Sequence, residues 1–182
     1  MQVYEKLLSQ HHEFIAKQHM FFVATAPLTG DGRVNVSPKG LDSLAVLDDN
    51  SVAYIDLGGS GIETHSHLKE NGRMTMMFCA FEGLTSILRL YGKGQTLLVG
   101  TPGFEELRPL FPEISGAVRG IIKLTFDRVQ DSCGSGVPKY QFLEHRNALV
   151  TKRSAVTQEQ YSAQLTAANA KSIDGLPGIT AE

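Results

Sequence analysis

The shortness of its connections limits the fold of this chain more than any other feature. Most of its apolar, β-prone runs follow one another through turns too short to hold the crossover helix that a parallel pair needs. Met20 to Ala26 is one such run. Thr29-Gly30-Asp31-Gly32 then supplies a tight turn, and Arg33-Val34-Asn35-Val36-Ser37 alternates with a period of two, which predicts an antiparallel hairpin. Leu44 to Leu47 and Val52 to Leu57 flank the turn Asp48-Asp49-Asn50. Arg73 to Phe81, Ile87 to Tyr91, Gln95 to Val99 and Gly120 to Val129 continue the series, with Gly92-Lys93-Gly94 breaking it as at a bulge or sharp bend. Six or seven strands in this order predict a mainly β antiparallel barrel rather than a doubly wound sheet.

Helices are expected around the barrel. Tyr4, Leu7, Leu8, Phe14 and Ile15 have helical spacing, so residues 1–19 are read as an amphipathic opening helix. A second runs from Ile62 to Asn71, with Ser60 and Glu63 at capping-box spacing and Gly72 as its left-handed end. Residues 103–111 predict a short helix, and Thr157 to Lys171 a solvent-exposed one. Ser172 to Gly178 reads as a loop that docks on the barrel or on a partner. The 182 residues suit a single domain with a helical and loop extension over 139–182.

Composition excludes several classes. A net charge of −2 without a basic stripe argues against a nucleic-acid binder. No apolar run approaches the ~20 residues needed to span a bilayer, and the first residues lack a secretory n-region and h-region. Cys79 and Cys133 have no metal-type spacing and suit a reducing compartment. The expectation is a cytoplasmic protein that does not act at a membrane.

Three clusters carry chemistry. Arg33, Asn35 and Ser37 share one face of an extended strand, with Lys39 just beyond, and this strip suits an anion such as phosphate. A solvated hairpin face reads the same way. Gly58-Gly59-Ser60-Gly61 leads into a helix N-terminus, where free N–H groups bind phosphate, or where the glycines only shape the turn. Arg89 sits among apolar strand residues and must reach solvent, an acid or a bound anion, and Gly92 and Gly94 beside it leave room for a ligand's close approach. His65 and His67 diverge by about 200° on a helix and cannot readily share a metal. His11, His12 and His145 have no suitable third ligand near them in sequence, so no metal is expected.

The order of these pieces resembles the pyridoxamine 5′-phosphate oxidase-like family of FMN-binding split barrels. The segments that carry it are Phe21-Phe22-Val23-Ala24-Thr25-Ala26, Arg33-x-Asn35-Val36-Ser37-Pro38-Lys39-Gly40, Val52 to Asp56 with Ser60-Gly61-x-Glu63-Thr64, Arg73-Met74-Thr75, and Leu88 to Gly94. Asp131 to Pro138 and Ser172 to Gly178 are similar to one branch of it, and the similarity spans about residues 10–178. The resemblance implies a homodimer with FMN at the subunit interface. Its site would draw on Arg33, Asn35, Ser37, Lys39, Ser60, Gly61, Thr64 and Arg89. The chemistry implied is FMN-dependent redox turnover with a small-molecule substrate and NAD(P)H as a candidate donor. Without Trp or a C-terminal substrate motif, oxidation of vitamin B6 is not expected. The rival readings are a flavin-binding sensor without turnover and a haem-binding barrel using His65, His67 or His145.

Overall fold

The computed structural model describes residues 1–112 and 117–179. Among them, eight strands form one antiparallel sheet. They are β1 (Gln2–Tyr4), β2 (Phe21–Thr25), β3 (Asn35–Lys39), β4 (Leu44–Asp48), β5 (Ser51–Asp56), β6 (Arg73–Cys79), β7 (Ile87–Leu98) and β8 (Gly120–Ser132). The order across the sheet is β3-β2-β6-β7-β8-β5-β4. β1 joins β8 beyond the end of β5.

The sheet curls. β2 and β5 lie four places apart, yet Phe21 and Tyr54 meet edge to face at 5.6 Å. Between them Val23, Met76, Phe78, Leu90, Leu124 and Val52 fill the concave side. This is the split-barrel fold. β5 is buried along its whole length because Ala53 and Ile55 face a second core, with Phe104, Phe111 and Ile121 on the other side of the sheet.

The helices are α1 (Ser9–Ile15), α2 (Glu63–Glu70), α3 (Pro102–Leu107), α4 (Ala148–Ser154) and α5 (Gln158–Ala168), with a 3₁₀ turn at Arg108–Leu110. Three expectations change. The opening helix is shorter, because residues 2–4 pair with residues 129–131 of β8 as an extra strand. The spacing of Tyr4, Leu7 and Leu8 imitates a helix that the pairing overrides. α2 is capped by Ile62 with no side-chain cap, so Ser60 is not a capping residue. Glu63 instead accepts a hydrogen bond from the backbone of Ile173 at 3.1 Å. Nor is α5 wholly solvent-exposed: Tyr161 and Leu165 are buried, and the Tyr161 hydroxyl donates to the Leu57 carbonyl at 2.8 Å. Gly72, with φ of +71°, does end α2 in the left-handed region.

β7 runs unbroken through Gly92-Lys93-Gly94, with a register shift between Tyr91 and Gly92 that leaves Asp127 of β8 as the extra residue. A Cβ at Gly92 would overlap the Thr125 carbonyl, and one at Gly94 would strike Met74 and Leu68. On the side where a Cβ would stand, the space beside these glycines is therefore filled by this chain. Gly92→Ala is expected to cost about 1–3 kcal/mol through this overpacking. Urea denaturation would register it, and an unchanged midpoint would mean that β8 yields without strain.

Candidate functional site

β3 reverses the usual face pattern of an edge strand. Its residues lie opposite those of β2, Asn35 against Thr25, Ser37 against Val23 and Lys39 against Phe21, so these three side chains share the inward face. Val34 and Val36 are the exposed ones, at 69% and 60%. A solvated polar hairpin face is thus not what the strip forms. Its polar side turns toward the first turn of α2.

A chain of hydrogen bonds results. Ser37 donates to Asn35 Oδ1 at 3.3 Å, and Asn35 Nδ2 donates to Thr64 Oγ1 at 3.0 Å and to Thr25 Oγ1 at 3.4 Å. Thr25 in turn meets His67 Nδ1 at 3.0 Å, while His67 Nε2 is buried without a partner. Burial lowers the His67 pKa.

Lys39 leads into a second network. Its Nζ lies 3.8 Å from Asp56 Oδ1 and 5.4 Å from the centre of the Tyr54 ring. Asp56 is paired at 2.7 Å with Arg119, which also donates to the Gly61 carbonyl and to Asn169 Oδ1. Burial by itself would raise the Asp56 carboxyl, but the charges of Arg119 and Lys39 outweigh it and hold the group below its ordinary value. The Tyr54 hydroxyl and Asn169 Nδ2 are buried here without partners.

The C-terminal tail closes one end of this seam. Asp174 accepts from the Arg33 backbone N–H at 2.6 Å and forms an ion pair with its guanidinium. These bonds hold the Asp174 carboxyl below its ordinary range. A carboxylate of the chain itself therefore engages Arg33 at the place where an anion was expected.

The eight expected residues are divided as follows. Asn35, Ser37 and Thr64 are joined directly, and Lys39 is linked through Asp56 and Arg119 to the carbonyl of Gly61. Arg33 lies at the end of the seam, turned to Asp174. Ser60 is exposed on the turn before α2. Arg89 is on the other side of the sheet, in the row Pro38, Phe22, Met77, Arg89 and Gln130, where it donates to Ser132 at 3.2 Å. One chain does not bring it to the seam.

Sequence reading missed Asp56, Arg119, Asn169 and Asp174. Only Asp56 carried a signal, as a lone acid closing the run Val52-Ala53-Tyr54-Ile55. A cleft of about 1310 Å³ lies elsewhere, between α1, residues 80–86 and residues 140–149, and of the eight residues only Lys39 borders it.

The model of the pyridoxamine 5′-phosphate oxidase family matches residues 7–133, the stretch that holds every strand except β1. The chain belongs to that family. Within it, the family protein ustO of Aspergillus flavus is 36% identical over 196 residues, covering 97% of this chain and 77% of its own length. Two solved structures share the fold. HupZ from Group A Streptococcus has a TM-score of 0.51 at 20% identity, over 70% of this chain and 95% of its own. A FAD-binding protein from Mesorhizobium loti has 0.50 at 15%, over 72% and 96%. No helix among the described residues is long and apolar enough to cross a membrane.

Proposed function

We propose that this oxidase-family protein binds FMN and works as a flavin-dependent oxidoreductase on a small molecule, with NAD(P)H the first donor to test. The observation that carries the reading is the inward turn of β3, which joins Asn35, Ser37 and Thr64 in one hydrogen-bonded seam beside Lys39. These residues fit a phosphate. Lys39 supplies charge, Thr64 accepts from Asn35 and keeps its own hydroxyl proton to donate, Ser37 can turn its proton from Asn35 to the anion, and the buried Asn169 amide and Tyr54 hydroxyl have donors to spare. Arg33 joins them once its bond to Asp174 opens. Membership of the oxidase family and a fold shared with a FAD-binding protein support a flavin. When bound, the flavin supplies the hydride or electron transfer, and the chain orients it and keeps water out.

A second copy completes the site in this reading. Val36, Pro38, Phe22 and Met77, with Val34 just before β3, make an apolar outer face around Arg89 on the strands β3, β2, β6 and β7. A homodimer that covers this face would deliver Arg89 to the flavin of its partner.

Fluorescence titration with FMN, FAD and riboflavin tests the reading. FMN should bind at least tenfold tighter than riboflavin, since a charge-assisted hydrogen bond is worth about 1.5–3 kcal/mol. Lys39→Ala should erase most of that difference. Equal affinity for FMN and riboflavin would overturn the phosphate seam, and preference for FAD would overturn FMN. Asp174→Asn should strengthen FMN binding by releasing Arg33, an effect readable in the same titration as a lower dissociation constant. A weaker one would mean that the tail bond builds the site.

A further inference from the structure

The fold assembles a group of side chains that the seam does not use. His19 follows α1, Asp42 lies in the turn between β3 and β4, and His145 belongs to the C-terminal extension. One ligand atom from each lies within 4.8 Å of the others. His145 Nε2 is already 3.2 Å from Asp42 Oδ1, and the His19 and His145 rings stand 6.1 Å apart at 73°. Separations of 126 and 103 residues from His145 hide this grouping from any spacing argument.

We propose that His19, Asp42 and His145 bind one divalent transition-metal ion of the zinc or iron(II) class. Two imidazoles and one carboxylate are the donor set such ions take, whereas magnesium and calcium prefer oxygen alone. A bond length near 2.1 Å places neighbouring ligand atoms roughly 3.3 Å apart. The Asp42–His145 pair meets that distance as it stands. His19 must close the remainder, which its exposed ring can do by sliding along the face of Phe142.

The surroundings hold the ligands in place. Phe142 stacks on His19 at 3.8 Å and 13°, and meets His145 edge-on at 4.9 Å. Leu41 and Asp42 both have positive φ, 63° and 50°, which aims the turn at His145. Three protein ligands leave at least one coordination position open. His19 and His145 both border the 1310 Å³ cleft, whose wall includes Phe14, Phe81, Leu84 and Leu149. A water or a ligand's donor atom seated in that apolar cleft would take the open position.

The test uses the untagged full chain without added flavin, titrated with cobalt(II) and with zinc(II). One cobalt per chain is expected, with visible ligand-field bands that zinc displaces stoichiometrically. His19→Ala and His145→Ala should each weaken binding by about 100-fold or more, beyond the 10–100-fold seen when only an outer partner of a metal ligand is lost. His19 is exposed and His145 half-buried outside both main cores, so the apo melting temperature should hold and loss of fold will not imitate loss of the site. His12→Ala, which removes an imidazole beside Asp49 instead, should change nothing. Cobalt binding unaltered in the His19→Ala/His145→Ala double variant would overturn the proposal, and so would the absence of saturable binding in the unaltered chain.

Discussion

Replacing Asp56 by alanine should cost about 3–5 kcal/mol of folding stability, because it strands a buried charge. The side chains of Asp56 and Arg119 are each only 7% exposed. Without the carboxylate, Arg119 keeps the Gly61 carbonyl and Asn169 Oδ1, but no negative partner. Urea denaturation at pH 7 measures the loss. The companion variant Asp56→Leu/Arg119→Met should recover part of it, since no guanidinium is then stranded, while the Gly58 N–H, the Gly61 carbonyl and Lys39 still lose a partner. A loss below about 1 kcal/mol in the single variant would mean that water reaches Arg119, which a dry network does not permit.

A second large effect should come from acid. His65 is buried on α2, and burial, with the charges of Arg119 and Lys69 added, lowers its pKa from 6.5 to about 4. As pH falls through about 6.5, the unfolded chain takes up a proton that the folded chain refuses until about 4. The stability from this residue is therefore complete above pH 6.5 and drains away between 6.5 and 4. Its size is at most about 3 kcal/mol, with solvent at the edge of the site reducing it. His67 and His11, also lowered by burial, act in the same direction. The depressed carboxylates Asp56 and Asp174 lose their contribution only at lower pH, so the windows separate. Urea midpoints at pH 7.5, 6 and 4.5 should fall steadily, and His65→Gln should flatten the curve. A wild-type profile level from pH 7.5 to 4.5 would contradict a buried, neutral His65.

Much of the fold was legible because antiparallel strands leave local marks. The alternation around Arg33 to Ser37, the turn at Asp48-Asp49-Asn50 and the glycine that marks the register shift at Gly92 each sit within a few residues of what they specify. The three-residue β1 left none, because its partner lies about 125 residues away. The face of β3 was also hidden. Alternation says that Ser37 and Val36 point oppositely, but only the pairing with β2 and the packing of α2 decide which points inward. The same holds for the site. Asn35, Ser37 and Lys39 could be singled out because amide, hydroxyl and ammonium groups cluster in sequence, whereas Thr64 entered only through the family resemblance. Asp174 and Arg119 were missed because tertiary contact alone brings them to Arg33 and Asp56.

β8 touches β1, β5 and β7, more strands than any other in the sheet described here. It is also the last strand to be made. Synthesis at about 5–20 residues per second means that β1 waits roughly 6–25 s for its partner to leave the ribosome. During that interval β2, β3 and β6 can already pair, with one face of their sheet open to water and the β6 edge still seeking β7. The emerging chain thus spends most of its birth as an unfinished sheet, with an edge that another nascent chain could join. Its dependence on chaperones should be greatest before residue 132 appears and fall sharply once it has.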